Sequence, residues 1–115
     1  MPAADTLPFL KGTLDILVLK ALGWAPMHGF ELTRWLADRS GDAFELDEAA
    51  VYQSLYRLEA RGLVAAEWGT SEKGRRARYY KLTAAGRESL RREAALWRRY
   101  AEVVATILDT APRNA

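Results

Sequence analysis

The sequence predicts a mainly α fold with one small β-hairpin and a long terminal helix, and three observations carry that expectation. Apolar residues recur at helical spacing in four stretches, near residues 9–23, 28–39, 47–61 and 83–108. Between the third and fourth, residues 63–82 hold an alternating segment, a turn-forming basic segment and a second alternating segment. The last periodic stretch is longer than a domain of 115 residues needs to cover its own core. Two tightly connected helices, a third amphipathic helix and a basic hairpin follow the order of a winged helix-turn-helix. A three-helix bundle with a decorative hairpin is the plainer alternative. The chain accordingly divides into a flexible leader (1–8), the winged unit (9–82), a C-terminal dimerisation helix (83–108) and a tail (109–115).

Composition narrows the chemistry. Half of the residues are apolar and 28% charged, as in an ordinary globular domain. No cysteine is present, which removes disulfides, thiolate metal sites and thiol redox chemistry. No basic segment followed by an apolar core opens the chain, and no run approaches the ~20 apolar residues of a membrane span. A cytoplasmic protein without membrane contact is expected. The net charge is only +2, but residues 71–99 hold ten Lys or Arg against three Glu, a local +7 that leaves −5 for the rest. Such polarity favours a polyanionic partner for the basic part. Solvation of a helix face accounts well for the arginines after position 86, and less well for those in the hairpin.

In chain order, residues 9–23 are apolar on two sides. Leu10, Leu14, Leu17 and Ala21 line one, and Ile16, Leu19 and Leu22 the other. A helix of that kind needs cover on both sides, which suggests a partner subunit. Pro26 breaks the ladder, and residues 28–39 form a second helix with Leu32, Trp35 and Leu36 inward. His28 is the only histidine, and with no Cys or second His to join it the expected role is a local hydrogen bond at the helix start. Residues 42–46 lead on through a short extended piece.

Asp47 suits the N-cap of the third helix, Val51, Leu55 and Leu58 form its buried stripe, and Gly62 suits the left-handed stop. The opposite face carries Ala49, Ala50, Gln53, Tyr56 and Arg57, flanked by Tyr52 and Ser54. A surface that is small at one end, then polar, aromatic and cationic, suits a DNA major groove. Gln53 and Arg57 match adenine and guanine edges, at about 1–3 kcal/mol each if bidentate. Tyr52 and Tyr56 match phosphate oxygens, although Tyr52 is read equally well as core packing at the hairpin. Strands over 63–68 and 78–82 flank a loop at 69–77, where Lys73, Arg75 and Arg76, with Arg78 beside them, meet phosphates or enter a minor groove. Tyr79 and Tyr80 face opposite ways.

Thr83 suits the cap of the long helix. Leu90, Ala94, Trp97, Ala101, Val104 and Leu108 alternate spacings of four and three, the rhythm of helix-on-helix packing. Leu96, Tyr100, Val103 and Ile107 form a neighbouring stripe, and two stripes need two surfaces. Dimerisation through this helix, aided by Leu14 and Leu17, is expected. No catalytic constellation and no cofactor or metal site is legible, so an enzyme is not expected.

Several segments together resemble the PadR family of transcriptional regulators, in its short type with one C-terminal helix. They are LKGTLDILVLKAL (10–22), PMHGFEL (26–32), VYQSLYRLEARGLV (51–64), EWGTSEKGRRARYYKLTAAGR (67–87) and the Trp97 region, and the match spans nearly all of 9–108. Two departures stand out. Ala50-Val51-Tyr52-Gln53 replaces a frequent Ser/Thr-Leu-Tyr-Pro run, and Phe30 replaces a tyrosine after His-Gly. The resemblance implies a homodimeric repressor binding operator DNA through two winged helices. Some proteins of that kind bind small aromatic compounds between the terminal helices, so Trp97, with room beside Ala94 and Ala101, is read either as stacking on such an effector or as packing alone at the seam. A winged-helix protein-interaction module without DNA binding is the rival from another class.

Overall fold

The computed structural model describes residues 7–114. Its elements are α1 (Thr13–Trp24), β1 (Met27–His28), α2 (Gly29–Arg39), α3 (Glu48–Ala60), β2 (Val64–Thr70), β3 (Arg76–Leu82) and α4 (Ala84–Leu108). Residues 1–6 of the expected leader, and Ala115 of the expected tail, lie outside the described residues. Leu7, also assigned to the leader, forms a parallel bridge with Phe44. Its N–H donates to the Ala43 carbonyl at 2.6 Å and its carbonyl accepts from Glu45 N–H at 2.9 Å. The extended piece between α2 and α3 thereby gains a partner, and Phe9 stacks on Phe44 at 4.6 Å.

α1 starts at Thr13 rather than near Phe9, because Gly12 precedes it in the left-handed region (φ 84). Leu14, Val18, Leu19 and Leu22 of α1 meet Leu32 and Leu36 of α2, Val51, Leu55 and Leu58 of α3, and Val64, Tyr80 and Leu82 of the sheet. Removing one such leucine side chain costs about 2–5 kcal/mol. Leu14 is only 8% exposed within this core. That corrects its assignment to a subunit interface, since the protomer itself covers it.

The sheet has three antiparallel strands in the order β1-β3-β2, with Met27 opposite Tyr80 and Val64 opposite Leu82. β1 was not expected: two residues carry no periodicity to read. His28 ends β1 and caps α2. Its Nδ1 accepts from the Glu31 N–H at 3.2 Å, while Glu31 Oε1 accepts from the His28 N–H at 3.2 Å. The local role expected for His28 is therefore the observed one. β2 and β3 extend further than expected and leave only 71–75 as the turn.

Thr83 joins the wing to α4 with no linker. Its hydroxyl accepts from the Gly86 N–H at 3.0 Å and donates to the Gly62 carbonyl at 2.7 Å. Its N–H donates to the Leu63 carbonyl at 3.1 Å. α4 has 25 residues, roughly 37 Å. Gly86 and Ser89 are buried and Leu90 and Ala94 half-buried against the domain; past Ala94, all but Ala101 are exposed up to the end of the helix. Among the described residues, no helix is long and apolar enough to cross a membrane.

Candidate nucleic-acid interface

α3 buries Val51, Ser54, Leu55 and Leu58, which forces Ala49, Gln53, Tyr56 and Ala60 to form its exposed stripe. Asp47 fixes its start, accepting the Ala49 N–H at 3.0 Å. Gln53 and Tyr56 thus stand on the outer face as the sequence suggests. Ala50 and Tyr52 do not: both are half-buried and packed against the core. The Tyr52 ring fills the space over Gly29, where a β-carbon would overlap it. Tyr52 and Tyr56 lie 6.2 Å apart, ring centre to ring centre. Burial pushes the Tyr52 phenol up, with the Glu48 carboxylate adding to it, so it remains a neutral donor at neutral pH. Core packing and a phosphate contact are compatible roles for such a side chain.

Arg57, expected to read a guanine edge, is exposed on the same helix and already engaged by a partner within the protomer. Its Nη2 donates to Asp15 Oδ1 at 2.7 Å and its Nε to Oδ2 at 3.4 Å. Ser54, fully buried, donates its hydroxyl to the same Oδ1 at 2.6 Å. A carboxylate from α1 therefore holds one edge of the guanidinium. Arg78, expected with the wing cations that meet DNA, is likewise engaged within the protomer: Nη2 donates to Glu59 Oε2 at 2.8 Å and Nη1 to the Tyr80 hydroxyl at 3.3 Å. It ties β3 to α3. An ion pair this exposed adds little to stability, so its effect is mainly positional.

The wing turn is closed by Ser71 N–H to the Arg75 carbonyl (2.7 Å) and Gly74 N–H to the Ser71 carbonyl (2.9 Å). Lys73, Arg75 and Arg76 are exposed and form no ion pair among the described residues. Arg76 lies 4.2 Å over the ring of Trp68, which is 58% exposed. Trp68 falls at the end of the strand expected over 63–68, where alternation gives it a face but no partner. Its pairing with Arg76 depends on the hairpin register, which sets Thr70 opposite Arg76 and Trp68 opposite Arg78.

A groove of about 250 Å³ runs between α1 and α4, with Ile16, Leu17, Phe44, Leu90, Ala94 and Trp97 among its lining residues. Trp97 thus stands at a concave apolar surface, while Ala101 is not part of the lining. Beyond the groove, α4 leaves Leu96, Tyr100, Val103, Val104, Ile107 and Leu108 exposed.

A compact helical core that bares one face of its third helix beside a cationic β-ribbon defines the winged-helix class of transcriptional regulators. The chain belongs to the transcriptional regulator PadR-like family, whose sequence pattern matches residues 18–92. It is similar to the PadR family transcriptional regulator of Eggerthella lenta, at 33% identity and TM-score 0.75, covering 88% of this chain and 86% of that one. A PadR family transcription regulator of Clostridium difficile shares 28% identity at TM-score 0.74, over 84% and 99% of the two chains. A Streptococcus mutans protein at 21% identity and TM-score 0.79, over 93% and 96%, shares the fold. An uncharacterized protein of Lysinibacillus sphaericus is 24% identical over 87% of this chain and 92% of its own. The family and its solved members are transcriptional regulators, not enzymes.

Proposed function

We propose that the chain is a homodimeric repressor that acts in the cytoplasm on a pseudo-palindromic operator. Each protomer sets α3 in a major groove, with half-sites about 34 Å apart. The observation that carries this reading is the pairing of a bare α3 face, Gln53 and Tyr56, with Lys73, Arg75 and Arg76 on one wing, cations that form no ion pair among the described residues. Gln53 suits an adenine edge, Tyr56 and Tyr52 suit phosphates, and the wing supplies salt-dependent affinity.

Replacing both Arg75 and Arg76 by alanine tests it. Each phosphate contact carries a log–log salt slope of about −0.9. The double variant is therefore expected to flatten the slope by about 2 per protomer in binding titrations on DNA from upstream of its own gene. Unchanged affinity in dilute salt favours the winged-helix interaction module instead.

The α1–α4 groove supports an effector reading as well. A planar aromatic compound of modest size fits a pocket of about 250 Å³ that ends on Trp97. Binding there releases DNA only by favouring one spacing of the two winged units over the other. Titration with planar aromatics is expected to quench tryptophan fluorescence in the wild type and less in Trp97→Phe; equal quenching in both rejects the site.

A further inference from the structure

We propose that Asp15, on α1 and outside the reading face, positions Arg57 for base recognition. This inference rests on the DNA-binding reading above. The guanidinium has five N–H donors in a rigid plane. Asp15 takes the Nε–Nη2 edge, with contacts of 3.4 and 2.7 Å. The Nη1 end forms no hydrogen bond among the described residues, and the Arg57 side chain is 55% exposed beside Gln53. An arginine needs two coplanar N–H groups to bind the O6 and N7 of guanine, and the Nη1–Nη2 end still offers them.

The carboxylate is itself held. Asp15 is 22% exposed, and the buried hydroxyl of Ser54 donates to its Oδ1 at 2.6 Å. Ser54 precedes Arg57 by three residues, so α1 and the reading helix share one hydrogen-bonded unit. An arginine left free would pay rotamer entropy to adopt a single plane on the base; the fork from Asp15 removes most of that freedom beforehand. The same carboxylate also brings a negative charge close to the DNA surface. It therefore favours one base over others while opposing binding to phosphate in general.

Those two effects separate in Asp15→Asn, whose amide oxygen still accepts from Ser54. The probes are a duplex of about 30 base pairs, enough for two half-sites, enriched from a random pool by the wild-type protein, and alternating poly(dI-dC). The variant is expected to bind the enriched duplex at least 5-fold more weakly. Poly(dI-dC) is expected to bind it equally or up to 5-fold more tightly, with the melting temperature near that of the wild type. Arg57→Lys keeps the charge but not the fork, and is expected to lose the same preference without gaining general affinity. The double variant is expected to lose no more than either single one. An unchanged ratio of the two affinities in Asp15→Asn, or an equal loss on both DNAs, overturns the positioning role. A wild-type protein that enriches no duplex overturns the DNA-binding reading itself, and this inference with it.

Discussion

Placing glutamate at both Leu96 and Val103 is expected to convert the protein to a monomer in sedimentation velocity and to weaken operator binding about 100-fold. Both residues stand on one stripe of α4 and are 65% and 47% exposed in the protomer, so the protomer core does not feel the change. In the proposed dimer they are covered. Each apolar side chain of this size contributes about 1.5–3 kcal/mol when buried. An unpaired carboxylate in the same place costs several kcal/mol more. Loss of the pair removes the link between half-sites, which is worth about 10²–10⁴ in avidity. Circular dichroism is expected to show the same helix content. A variant that sediments with the wild type rejects α4 as the dimer seam.

The second large effect is expected at Gly86, the third residue of α4. Intrinsic helix propensity alone says that Gly86→Ala stabilises by about 1 kcal/mol. Packing says the opposite. A β-carbon there would overlap the Leu63 carbonyl oxygen and lie 3.0 Å from its carbon and 3.2 Å from Leu82 Cδ2. Because Leu63 presents backbone at the site, no side chain can swing away. The start of α4 must shift, straining both hydrogen bonds from Thr83 to residues 62 and 63. Such overpacking costs about 1–3 kcal/mol or more. A net fall of the melting temperature by about 10 °C is expected, and a rise would show that the helix start is looser than the structure has it.

What the sequence discloses and what it hides follow from the range of each interaction. Asp47 and Thr83 are legible as caps because a cap reaches only two or three residues along its own chain, and the structure has both. The stripe of Val51, Leu55 and Leu58 is legible because burial repeats with the helix period. Arg57 is not legible in the same way: its partner Asp15 lies 42 residues away, and only the packing of α1 on α3 brings them together. Arg78 meets Glu59 across 19 residues for the same reason. Tyr52 and Ala50 sit at the edge of the α3 stripe, where helical angle alone does not decide between solvent and core. The room over Gly29 decides it for Tyr52. The apolar excess of α1 is legible as a need for cover, yet Leu14 obtains that cover from its own protomer.

The joint at Thr83 has a mechanical corollary. A single residue separates β3 from α4, and it is bonded on both sides. In the proposed dimer, each arm and its tip then form one rigid caliper, with the seam as its pivot. The gap between the tips is a dimension of the protein, and tilting the seam opens or shuts it with no slack lost along the way.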